Sequence, residues 1–176
     1  LLKQCINGVK LHAFSSKVSL VAHSMGGLVS RVYTAGLGRT SSGNRLFYDN
    51  DVSNLITIGS PLYGSYASNK LVEGDSVIRT LYKTSFLSSI FGESNYFAET
   101  FDEPAYHDLS IGSVLTWNLN EGGLNDNIKY LTVTGIADDV ITPGHDESDD
   151  SDSVVSASSA SLRNFNTPPL VLLQLN

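Results

Sequence analysis

The feature that most restricts what this chain can become is the stretch Lys17-Val18-Ser19-Leu20-Val21-Ala22-His23-Ser24-Met25-Gly26-Gly27-Leu28-Val29. Its first part is a short apolar run rich in valine, which predicts a buried parallel strand over 17–22. Its last part continues through Ser30-Arg31-Val32-Tyr33, with Leu28, Val29 and Val32 at helical spacing, and stops near Gly36 and Gly38. Strand passes into helix with no room for a loop. A serine at such a junction sits on a tight turn with a strained backbone, and its hydroxyl projects above the sheet edge. Residues two before and two after it approach one another and must be small; here they are Ala22 and Gly26. Gly27 lets the helix pack closely on the strand. The helix N-terminus faces the serine, so the Met25 backbone N–H is a natural donor to an oxyanion, helped by the helix dipole. His23 points away from that chemistry in such a turn and is not read as a base.

The rest of the chain repeats the alternation. Leu2, Ile6, Val9 and Leu11 recur at roughly helical spacing and predict an amphipathic helix over 2–12. Further strands are expected over 52–58, 129–135 and 170–175, the first ended by Gly59-Ser60-Pro61. Helical stretches are expected over 66–73 and 76–90. Strands separated by helices predict an α/β fold with a parallel sheet and crossover helices. Residues 61–128 are too long for a plain crossover and are expected to hold a lid or cap insertion within one partial domain over 1–176. Leu71, Val77, Ile78, Leu81, Phe86, Leu87, Ile90 and Phe91 would give a lid an apolar inner face. Ordinary packing of a cap accounts for them equally well.

Composition narrows the partners. Hydrophobic residues make up 41% and charged residues 16%, which suits a globular chain, and the net charge of −7 argues against nucleic acid and against docking on anionic lipid. Much of the acidity sits in Asp146-Glu147-Ser148-Asp149-Asp150-Ser151-Asp152, read mainly as a solvated loop, with no calcium-ligand pattern standing out. No metal and no cofactor is expected. No apolar run approaches the ~18 residues of a membrane span. Cys5, the single cysteine, is expected to be a small buried helix residue. The start Leu1-Leu2-Lys3-Gln4 is neither an initiator methionine nor a signal peptide, so the chain is expected to be cut from a longer one.

The segment from Val18 to Val29 resembles the nucleophile elbow of α/β-hydrolase lipases and esterases that carry an Ala-His-Ser-Met-Gly motif. Thr57-Ile58-Gly59-Ser60-Pro61-Leu62-Tyr63-Gly64-Ser65 is similar to the strand end written G-[TS]-P-x-x-G in that group. Asp108-Leu109-Ser110-Ile111-Gly112-Ser113, continuing to Leu119-Asn120, resembles a D-L-x-x-G-S…L-N stretch in the lid of such esterases. The resemblance implies an α/β-hydrolase fold without its N-terminal strands, a Ser24 nucleophile and an ester substrate, while the apolar residues of the insertion suggest lipid-like acyl chains and contact with a lipid interface through the lid.

A serine hydroxyl near neutral pH needs an imidazole to take its proton and a carboxylate to orient that imidazole. Asp152, in Ser151-Asp152-Ser153-Val154-Val155, is similar to the acid of related lipases, although Ser153 replaces their usual glycine. Asp139, in Gly135-Ile136-Ala137-Asp138-Asp139-Val140-Ile141-Thr142-Pro143, resembles the acid of many other α/β hydrolases and is the runner-up. His12, His23, His107 and His145 all precede Asp152, whereas the resemblance places the base after the acid, at or beyond Asn176. A Ser24–His145–Asp139 arrangement is the alternative. Three functions stay open: ester hydrolysis, acyl transfer to an alcohol on the same machinery, and a non-catalytic binding domain that lost the histidine.

Overall fold

The computed structural model of the chain describes residues 1–74, 103–135, 155, 157–162 and 170–175. In chain order the elements are helix α1 (Leu2–His12), strand β1 (Val18–His23), helix α2 (Met25–Thr34), strand β2 (Val52–Ile58) and helix α3 (Tyr66–Val72). Helices α4 (Glu103–Leu109) and α5 (Val114–Glu121), strand β3 (Lys129–Gly135), the short helix α6 (Ala157–Ala160) and strand β4 (Leu170–Leu175) follow. Among the described residues the strands form one four-stranded sheet in the order β1-β2-β3-β4, with each neighbouring pair parallel. The expected α/β architecture with crossover connections is what the chain adopts.

Register separates the two faces of the sheet. Leu20 pairs with Leu55 and Leu55 with Tyr130, while Ala22 pairs with Thr57 and Thr57 with Thr132. Alternate residues of a strand point to opposite faces, so these two rows share one face. It is the buried one: Leu55, Thr57, Tyr130 and Thr132 are all shielded, and Ile6 of α1 and Tyr33 of α2 join Leu55 and Tyr130 in the core. The rows between them, Val21–Ile56–Leu131 and His23–Ile58–Val133, face the other way. That face is more open, with Val21 67% and Ile58 38% exposed.

The sheet's lower end is pinned by charge. Asp51, just before β2, is buried; its carboxylate accepts a 2.8 Å bond from the Tyr33 hydroxyl and a 3.1 Å bond from the Lys10 ammonium. One carboxylate thereby ties α1 and α2 to β2. Its two partners supply the donors that a buried carboxylate requires.

Helix α1 differs from expectation in which side it buries. Ile6 is buried, but Val9 and Leu11 are exposed, and so is Cys5. Successive helix residues rotate by about 100°. The buried stripe runs through Leu2 and Ile6 to Lys10, which reaches Asp51, and this puts Val9 on a flank, Leu11 opposite and Cys5 off the stripe.

Within 61–128, the described helices pack inward. Leu109 of α4 and Leu119 of α5 form a cluster with Leu28 of α2, and α4 lies against α3. Residues 75–102, which contain the expected helix 76–90 and most of the apolar residues assigned to a lid, lie outside the described residues.

Candidate active site

Ser24 is the one residue between β1 and α2, and it is the N-cap of α2 with φ 53° and ψ −130°. A non-glycine residue with positive φ outside the left-handed helical well is held there against a cost of about 1–3 kcal/mol. Its surroundings over-determine it. The Ser24 N–H donates to the Ile58 carbonyl at 2.9 Å, and the Ser24 carbonyl accepts from the Gly27 N–H at 3.1 Å. The backbone thus leaves β1 still bonded to β2 and enters the first turn of α2 immediately. Ser24 is partly exposed and Met25 is 37% exposed at the head of the helix.

The small residues around Ser24 are not equivalent. A Cβ added to Gly26 would lie 3.7 Å from the Ala22 Cβ, an ordinary contact. A Cβ added to Gly27 would collide with the Ser60 Oγ, lie 2.6 Å from the Ser60 Cβ and 3.1 Å from the Thr57 Cγ2. The glycine that α2 cannot give up is Gly27, where the helix crosses the end of β2.

That end of β2 runs into a turn held from several sides. Gly59 N–H donates to Val133 O at 2.9 Å, and Leu62 N–H lies within hydrogen-bond reach of both Ser60 O (2.8 Å) and Ser159 O (3.1 Å). The buried Ser159 hydroxyl accepts from the Tyr63 N–H at 3.2 Å and donates to Gly64 O at 2.5 Å. Gly64, at φ 99°, lies flush with the backbone of α4's exit: a Cβ there would be 2.5 Å from the Ile111 Cα. Ser65 N–H donates to Leu109 O at 2.8 Å.

Arg31, on α2, is 3% exposed and donates to Leu119 O at 2.7 Å and to Asn120 Oδ1 at 2.9 Å. Burial pushes its guanidinium below its ordinary pKa, with partial compensation from Tyr130 and Tyr63. Asn120 also donates to Leu62 O at 3.4 Å. The Leu119-Asn120 pair thus bridges α2 to the turn after β2. Upstream of it, the Ser113 Oγ caps α5 by accepting from Thr116 N–H at 3.1 Å.

Of the residues singled out from the sequence, Ser24 and Met25 stand together at the β1–α2 junction. Asp152, Asp139 and His145 lie outside the described residues. His12, His23 and His107 are exposed, on the last turn of α1, the end of β1 and α4. Sequence reasoning did not single out Ser60 or Ser159 for a part in the site, because their roles depend on contacts with Gly27 and with Tyr63 and Gly64 that no local pattern announces. A cavity of about 260 Å³ lies at the opposite end of α2, lined by Arg31, Thr34, Leu37, Asn118, Asn125 and Tyr130 among others. Among the described residues no group of His, Cys, Asp and Glu is placed to hold a metal ion, and no helix is long and apolar enough to cross a membrane.

The fold is shared with bacterial lipases. The mature lipase BlEst2 of Bacillus licheniformis superposes with a TM-score of 0.58 at 18% identity, covering 98% of this chain and 64% of that one. Phospholipase PlaB of Legionella pneumophila gives 0.59 at 18% identity, covering 92% and 33%, and the Staphylococcus hyicus lipase 0.52 at 20%, covering 90% and 61%. This chain therefore spans less than two thirds of each of these proteins. Identities this low establish a common α/β-hydrolase fold and nothing finer. No curated protein sequence matches the chain. Residues 1–102, more than half of the chain, match the model of the family described as "Putative serine esterase (DUF676)", and the chain belongs to that family.

Proposed function

We propose that this chain carries the nucleophile-bearing part of a serine hydrolase that cleaves carboxylic esters, with Ser24 as nucleophile. The observation that carries the reading is the backbone of Ser24: φ 53° and ψ −130° at a strand-to-helix junction where the residue is partly exposed. Membership of a serine esterase family supports it independently.

In this reading the Ser24 Oγ attacks the acyl carbon while an imidazole accepts its proton. The carbonyl oxygen becomes an oxyanion, and the Met25 N–H at the head of α2 donates to it, reinforced by the helix dipole. The imidazolium then gives the proton to the leaving alkoxide, and the alcohol departs. Water, deprotonated by the same imidazole, attacks the acyl-enzyme and releases the carboxylic acid and free Ser24. Asp152 is assigned as the acid that orients the imidazole, with Asp139 as the runner-up. Acyl esters of lipid type are the proposed substrates, since the proteins of like fold include two lipases and a phospholipase. Residues 61–128 are proposed to supply the cap over the site and any contact with a lipid interface.

Turnover of a short p-nitrophenyl ester by the full-length native polypeptide tests the reading. Ser24→Ala should lower kcat at least ~10³-fold, as removal of a serine nucleophile does. Turnover within tenfold of wild type would remove Ser24 from the mechanism.

A further inference from the structure

We propose that Ser60 is a positioning residue for this reaction, setting the direction of the Met25 N–H through Gly27 although it touches no reacting atom. The inference rests on the assignment of Ser24 and Met25 given above.

The chain of contacts is short. Ser60 is 1% exposed and its side chain occupies the space where Gly27 would carry a Cβ. Gly27 N–H donates to the carbonyl of Ser24 at 3.1 Å. That carbonyl belongs to the same peptide unit as the Met25 N–H. A peptide unit is planar, so tilting its C=O tilts its N–H by the same angle. Anything that pushes Gly27 therefore rotates the proposed oxyanion donor.

Ser60 cannot retreat from such a push. Gly59 N–H is bonded to Val133 O of β3, and Leu62 N–H is held by Ser60 O and Ser159 O. The Ser24 N–H is bonded to Ile58 O, two residues before Ser60, so the same strand end fixes both sides of the Ser24–Met25 corner. Thr57 borders the same space as Ser60, since its Cγ2 would lie 3.1 Å from a Cβ at Gly27. The volume of residue 60 therefore limits how closely Gly27 can approach the end of β2.

The test compares residue-60 volume with turnover per active site, in the full-length native polypeptide, with active sites counted by fluorophosphonate titration. Ser60→Val should lower kcat on the order of 10²-fold with KM changed less than about twofold, since misplacement by an ångström costs about that much. Ser60→Ala, which adds no volume, should lose no more than about threefold. Gly27→Ala should be as impaired as Ser60→Val, and Gly27→Ala with Ser60→Gly should regain at least about tenfold in kcat, because the second change empties the space the new methyl needs. This last pair decides the matter should Ser60→Val fail to fold. Ser60→Val at wild-type kcat per titrated site, or no rescue of Gly27→Ala by Ser60→Gly, would overturn the proposal. Ser24→Ala with undiminished turnover would instead overturn the assignment of Ser24 itself.

Discussion

The amide of Ser24 donates to the carbonyl of Ile58 at 2.9 Å, so the residue at φ 53° between β1 and α2 is held by the neighbouring strand. The ladder between β1 and β2 ends in register at His23–Ile58, and this bond continues it one residue past the end of β1. Pairing with β2 and the first turn of α2 together impose a conformation that an L-residue avoids when free.

That imposed backbone has a measurable cost. Ser24→Gly relieves a strain of about 1–3 kcal/mol and gives back about 0.5–1 kcal/mol in unfolded-chain entropy. It should therefore be about 1 kcal/mol more stable than wild type, whereas Ser24→Ala keeps the strain and should gain nothing of this kind. Urea unfolding of the three proteins measures the difference. Equal stability of the glycine and alanine variants would show that Ser24 carries no backbone strain.

The two adjacent glycines after Met25 should respond oppositely to the same methyl group. At Gly26 the methyl meets Ala22 at 3.7 Å and gains helix propensity, so Gly26→Ala should be neutral to about 1 kcal/mol stabilising. At Gly27 it collides with the Ser60 side chain, so Gly27→Ala should cost about 2–3 kcal/mol. Thermal unfolding ranks the pair, and a Gly27→Ala variant as stable as Gly26→Ala would mean that α2 does not press on the end of β2.

Asn120 joins three parts of the molecule through two bonds, accepting from Arg31 and donating to Leu62 O. Asn120→Ala leaves a buried guanidinium one acceptor short and should destabilise by about 1.5–3 kcal/mol. The same substitution made in an Arg31→Met background should cost under about 1 kcal/mol, which a double-mutant cycle reads directly. Additive effects would remove the bridge between α2 and α5 from the account.

Stability should fall on the alkaline side. Burial raises the pKa of Tyr33, Tyr48 and Tyr130, and for Tyr33 the bonded Asp51 carboxylate raises it further. In the unfolded chain these phenols ionise near about pH 10. Below that pH both states are neutral and the contribution is complete; above it the unfolded state alone loses protons, so stability falls as pH rises towards the folded pKa values. Tyr33→Phe should lose about 1–2 kcal/mol at neutral pH, with Asp51 deprived of a donor, and should show a shallower alkaline decline. Urea midpoints between pH 7 and pH 11 give both quantities, and an unchanged slope would take Tyr33 out of the alkaline transition.

The sheet was readable in the residues because each strand is a compact apolar run bounded by glycine, proline or polar residues. Val52–Ile58, Lys129–Gly135 and Leu170–Leu175 are strands over the expected ranges, and β1 is displaced by one residue. The direct passage of β1 into α2 was readable too, since Ser24 has no loop residues on either side. Less was readable in α1, where apolar residues at approximate helical spacing suggested a stripe through Val9 and Leu11. The stripe is set by Lys10 reaching Asp51, a contact between residues far apart in the chain. The same limit applies to Ser60 and Ser159. Neither has a local signature, and each matters through a partner brought alongside by the fold. The Leu119-Asn120 pair shows the intermediate case, a motif recognisable as a pattern whose bridging contacts only the three-dimensional arrangement supplies.

The most direct measurement is covalent labelling of the full-length native polypeptide with a fluorophosphonate, followed by peptide mapping. The account predicts one adduct per chain, on Ser24, lost in Ser24→Ala and slowed in Ser60→Val. An adduct on another serine, or ester turnover by a protein whose Ser24 stays unlabelled, would contradict it.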